Sequence, residues 1–316
     1  MSKKESTNND IGLFGFLEYP HNIYFEGGCI CLIDKYEESL QFINELIHKN
    51  GFFYPPEVNT YTIRKGEEDK KVPHTRRPVQ LYHLPPSHNI IFEDKKDYEA
   101  LREYSGAFII YILSYLFNTH LQFWDWRVSS KTPIRRPHFI IISKPILERF
   151  LSYAFTKWKR WDRKQQIHYN NLLFMHSRAP SYQWEWERFM IEYMVFDGLY
   201  DLTCQINQEQ VNKAKTVYFP KKNIVPHKGR FQILCEVYDI CYLEKEVDNI
   251  YKLRNELFHK AMYGGAKPGF KSNSQLFTTP FFLRQLNQRI LPATLEYKNK
   301  FINDIPWNIR GVCSFK

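Results

Sequence analysis

Apolar residues recur along this chain at two different spacings, and the spacing changes near residue 96. Before that point, Ile23-Tyr24-Phe25 and Cys29-Ile30-Cys31-Leu32-Ile33 flank Gly27-Gly28, which predicts two short strands around a tight turn. Residues 37–49 have apolar positions three and four apart and predict a short amphipathic helix. Pro55, Pro56, Pro73, Pro78, Pro85 and Pro86, with the charge run 64–71, predict that much of segment 54–88 is exposed loop, with one strand over 79–84. Residues 1–96 are therefore expected to form a small mixed α/β N-terminal domain that senses or targets.

From Asp97 the period is helical. Residues 97–118 predict a strongly apolar helix with Ile109, Ile112, Leu113 and Leu116 as its inner row. A basic connector over 134–142, with a strand at 139–142, precedes Pro145, placed where the first turn of a helix tolerates proline. Residues 182–206 are apolar on most sides and predict a central helix. The lysine- and proline-rich segment 213–228 predicts a loop, 230–263 one long helix, and Thr279-Pro280 the start of a last helix running past Leu295. The expected fold class is mainly α, with a helical domain over 97–316 that becomes a bundle of about four long helices from about residue 145.

Polar groups interrupt the apolar rows of the predicted helix 230–263. Ile250, Arg254, Leu257, Phe258 and Ala261 form one row, and Tyr251, Asn255, Phe258, His259 and Met262 the next. A buried cation without a partner costs roughly several kcal/mol, so Arg254 needs an anion or water. A guanidinium fork beside an imidazole and an amide suits a phosphodiester. The alternative is an ordinary helix end, with Arg254 and His259 meeting the last carbonyls, Glu256 and Lys260 paired four apart, and Gly264-Gly265 as the stop.

Arg254-Asn255, three intervening residues and His259 resemble the R-N-x-x-x-H signature of HEPN-domain ribonucleases, helical nucleases of bacterial toxin–antitoxin, phage-defence and CRISPR effector systems. The resemblance covers the chain from about residue 145 and implies a HEPN-like bundle, metal-independent RNA cleavage by 2′-OH attack, and two copies sharing one site at a dimer seam. Under it Arg254 holds the phosphate, His259 is base for the 2′-OH or acid for the leaving 5′-oxygen, and Asn255 orients the histidine or the backbone. At roughly 100° per residue, positions five apart diverge by about 140°, so Arg254 and His259 are expected to converge only across the seam. Arg163 to His168 repeats the spacing, but without the asparagine and within a polar run that reads as a solvated basic face.

The net charge of +10 favours a polyanionic partner, here RNA. The run holding Lys157, Trp158, Lys159, Arg160 and Arg163 supplies cations for phosphates and an indole for stacking, although Trp158 and Trp161, three apart, equally suit packing against the bundle. On the central helix Asp197 and Glu192 are the carboxylates expected to support the site. Asp197 would pair with Arg254, orient His259, or reach solvent at a helix edge. Six scattered cysteines without a CxxC pair read as reduced thiols, and no metal site and no cofactor are expected. The longest apolar run, 106–117, is too short to span a bilayer, which with the polar start of the chain predicts a cytoplasmic protein with no membrane partner. The function expected is that of a homodimeric, metal-independent endoribonuclease, a toxin or antiviral defence effector with an antitoxin or defence-complex partner. The alternatives are a HEPN-like RNA-binding or dimerisation protein without catalysis, and a regulatory subunit of a nucleoprotein complex.

Overall fold

Gly27 sits at φ +96°, a conformation that a Cβ opposes, and there the strand Ile23–Phe25 (β2) turns back onto Gly28–Leu32 (β3). The structure, a computed structural model, describes residues 11–62, 72–79, 81–135, 140–220, 225–261, 275–298 and 313–314. The charge run 64–71 and Gly264-Gly265 lie outside the described residues. Leu13–Gly15 (β1), His88–Phe92 (β7) and Gln122–Phe123 (β8) complete a five-stranded antiparallel sheet in the order β2-β3-β7-β1-β8. The predicted helix spans Tyr36–Leu46 (α1).

Two corrections fall in the proline-rich segment. Glu57–Thr62 (β5) and Val72–Pro78 (β6) pair as a hairpin in place of the expected loop. Each strand of a two-stranded ribbon keeps one unpaired edge, where a proline forfeits no ladder bond. No strand forms over the described part of 79–84, where Tyr82 makes a lone bridge to Val128. Phe52–Phe53 (β4) pairs with Thr132–Pro133 (β9), and Ile140–Ile141 (β10) runs parallel to Cys313–Ser314 (β11), within the predicted strand 139–142.

The predicted helix 97–118 is divided into Lys95–Glu99 (α2), a π turn at Leu101–Ser105, and Gly106–Leu116 (α3). Every residue of α3 is buried, because a helix apolar on all sides must be covered on all sides. Lys144–Lys159 (α4) lies across β2, and its Glu148 Oε1 and Ser152 Oγ accept from the backbone N–H groups of Tyr24 and Glu26, satisfying an otherwise open sheet edge. Arg163–Arg178 (α5) packs on α3, and Glu185–Ile206 (α6) is the predicted central helix, contacting α5, Gln208–Tyr218 (α7), His227–Val237 (α8), Glu244–Lys260 (α9) and Gln275–Thr294 (α10). The sheet residues Phe14, Ile23 and Ile90 share one core with Phe108, Phe155, Phe196 and Leu283, so the packing has no break at residue 96. The molecule is mainly helical with a small antiparallel sheet.

Three helical expectations are corrected. The segment read as a loop over 213–228 begins within α7, held by Val211 and Ala214 against Ile233 of α8. The described part of 230–263 belongs to two helices, separated at 238–243 where Asp239 takes a left-handed φ of +53° and Ile240 is buried. The last helix starts at Gln275 and ends at Thr294, with Pro280 inside it at the loss of one backbone hydrogen bond.

Candidate active site

The break between α8 and α9 builds the site. In one continuous helix the 27 residues from His227 to Arg254 would span roughly 40 Å. With the chain turned back, Arg254 Nη2 lies 3.3 Å from His227 Nε2. Phe231 stacks on Phe196 with centroids 3.8 Å apart, fixing α8 on α6, and Lys228 Nζ reaches Asp248 Oδ1 at 2.5 Å, tying α8 to α9. Val247, Ile250 and Leu253 are the buried row of α9. The expected burial of the neighbouring rows fails at the helix end, where Phe258 is 43% exposed and His259 is also exposed, so the signature opens to solvent.

Arg254 is the hub. Its Nη1 donates to Asn255 Oδ1 at 3.0 Å and meets His259 Nε2 at 2.8 Å, while its guanidinium lies over the rings of Phe258 and Tyr193 at 5.3 and 5.9 Å. Its Nε is buried without a hydrogen-bond partner. Among the described residues no carboxylate lies within ion-pair distance of Arg254, in contrast to Arg230, which meets Asp197 at 2.8 Å, and Arg284, which meets Glu192 at 2.5 Å. The expectation that Arg254 and His259 converge only between two copies is thereby corrected. The long arginine side chain crosses the angular gap that separates the two positions on the helix.

Because a guanidinium only donates, both imidazoles accept at Nε2. His227 then carries its proton at Nδ1, which faces Tyr193 Oη at 3.5 Å and Asp197 Oδ1 at 3.8 Å. Burial pulls the His227 pKa below its ordinary value, the cations of Arg230 and Arg254 pull it further, and Asp197 opposes them in part. Burial raises the Tyr193 hydroxyl, and the Asp197 carboxylate adds to the rise. His227 is the first residue of α8, so the positive end of that helix dipole also lies at the site.

No protein-family model, curated protein or solved structure matches the chain. The site therefore rests on its own geometry. Among the described residues no group of three or more His, Cys, Asp or Glu side chains is arranged to hold a metal ion.

The other residues singled out from sequence are placed as follows. Asn255 positions Arg254. Asp197 pairs with Arg230 and faces His227. Glu192 belongs to a buried network in which its carboxylate accepts from Asn287 at 2.8 Å and contacts Arg284 and, at 2.9 Å, His176. In the basic aromatic run Trp158 is 1% exposed and stacks on Phe108 at 4.8 Å, so base stacking by its indole is excluded by the core around it. Lys157 pairs with Glu296, Lys159 with Asp97 at 2.6 Å, Arg163 covers the Tyr104 ring, and Arg160 is exposed. Sequence reasoning missed His227, Arg230 and Tyr193. His227 fell within the predicted loop, and no spacing links it to Arg254 when the intervening chain is read as one helix.

Proposed function

We propose that the chain is an endoribonuclease that cleaves RNA without a metal ion, by attack of the 2′-OH on the adjacent phosphate. The observation that carries this reading is Arg254, a cation at the solvent-open end of α9 that has no carboxylate within ion-pair distance among the described residues. A phosphate would supply the missing negative charge and accept from both terminal nitrogens of the fork. The guanidinium would also oppose the charge that grows on the phosphoryl oxygens in the transition state. His259, 2.8 Å from the same fork, would lie beside a phosphodiester held there, where it would exchange a proton with the 2′-OH or the leaving 5′-oxygen. The resemblance of Arg254, Asn255 and His259 to the HEPN signature supports the same chemistry, as does the net charge of +10. One chain brings these groups together, so a second copy is not needed to carry Arg254 to His259.

The test is incubation of the purified full chain with single-stranded RNA in excess EDTA, with analysis of the product ends. The reading expects 2′,3′-cyclic phosphate and 5′-hydroxyl ends. RNA left intact in EDTA but cut on addition of Mg²⁺ or Mn²⁺, or left intact in both, would contradict it.

A further inference from the structure

Resting on the ribonuclease reading, we propose that His227 is the general base that takes the 2′-OH proton, and that His259 is the acid that protonates the leaving 5′-oxygen. The two Nε2 atoms sit one on each terminal nitrogen of Arg254, at 3.3 and 2.8 Å. With the rigid guanidinium between them, they are at most about 8 Å apart. In-line displacement at phosphorus puts the entering and leaving oxygens on opposite sides of the phosphate. A phosphate on the Arg254 fork therefore has one imidazole for each of those oxygens.

The surroundings divide the roles. His227 is faced by Asp197 and Tyr193 from α6, Arg230 from α8, and Arg254 and His259 from α9. Those cations and its burial favour the neutral ring, whose Nε2 lone pair is turned to the fork. Asp197 Oδ1, 3.8 Å from Nδ1, opposes the positive charge that appears once the ring takes a proton, which makes Asp197 a positioning residue. His259 is exposed at the end of α9, so a phosphate that takes its place on the fork leaves its Nε2 free to carry a proton from water to the leaving oxygen. In the step itself the 2′-oxygen forms a bond to phosphorus while its proton passes to His227 Nε2. The phosphorus–O5′ bond breaks as His259 gives its proton to the departing oxygen. The products are a 2′,3′-cyclic phosphate and a 5′-hydroxyl, with no net change in protons or electrons.

The experiment is single-turnover cleavage of an oligoribonucleotide by the full chain across pH, using wild type, His227→Gln and His259→Ala. A second substrate carries sulfur in place of the bridging 5′-oxygen and needs no acid. His227→Gln should lower kcat by about 10² to 10⁴ with KM little changed, and should lose the acidic limb of the pH–rate profile. The sulfur substrate should restore His259→Ala and leave His227→Gln slow. An unchanged kcat, an acidic limb that persists in His227→Gln, or rescue of His227→Gln by the sulfur substrate would overturn the assignment. If Gln at this position prevents folding, as read by circular dichroism, His227→Asn gives the same comparison. Wild type that fails to cut RNA removes the ribonuclease reading itself. Wild type that cuts, with an inactive His259→Ala and an unaffected His227→Gln, removes only the role of His227.

Discussion

Arg254 is the single residue that joins the other groups of the site. Its sequence position already marked it, because a cation in an apolar helical row needs an explanation. What the sequence could not convey is that, among the described residues, no carboxylate pairs with it while Arg230, one helix away, takes Asp197. Side-chain length also defeats a reading from helical angle alone, since the guanidinium reaches forward over a turn to His259. The planar fork serves Asn255, His259 and His227 together, and a lysine ammonium has no such geometry. Arg254→Lys should keep the net charge and the fold but lower kcat/KM for RNA by about tenfold or more, which corresponds to about 1.4 kcal/mol or more of transition-state stabilisation. Equal activity of the lysine variant would mean that charge suffices and that the fork has no part.

At the scale of elements, the apolar rows of α3 and α6 were legible because each is long, periodic and covered by neighbours. The break between α8 and α9 was not, since Asp239 in a left-handed conformation carries no glycine signal and Ile240 continues the apolar run. The network joining α5, α6 and α10 was equally hidden, as Glu192, His176 and Arg284 lie far apart in sequence. Burial alone would raise the Glu192 carboxyl, but His176, Arg284 and Asn287 outweigh it and hold the pKa down at about 2. Burial, with Arg284, lowers the His176 pKa, so the ring is neutral beside an ionised Glu192. Both depressed values have the same sign. Stability from His176 is fully present above its unfolded value of 6.5 and is lost as pH falls below it, and that from Glu192 is lost between 4.5 and about 2. His88, lowered to about 4, and His120, lowered to about 3, both by burial first, act in the same window as His176. Chemical denaturation should therefore show falling stability from pH 6.5 to 4.5, at most about 1.4 kcal/mol per pH unit for each such histidine. A stability that is level or rises over that interval would contradict the neutral, buried state of these rings.

For the whole molecule, the mainly helical character and the small sheet followed from the change of apolar period. The packing across residue 96 did not, because β8 joins β1 from beyond that point and the helices cover the sheet with the same core that holds them together. Local texture reports what each segment can form, whereas a shared core depends on which segments meet. The same distinction governs the site, where one helix end supplied a recognisable pattern and a second helix, turned back by the break, supplied His227. If, as proposed, this corner of one chain cleaves RNA through Arg254 and His259, loss of the His259 imidazole must slow the reaction without unfolding the protein. The most direct measurement compares single-turnover RNA cleavage by purified wild type and His259→Ala in EDTA, with thermal melting of both. The rate should be lower by about 10² to 10⁴ in the variant at an unchanged melting temperature. Cleavage at the wild-type rate by a folded His259→Ala protein would contradict it.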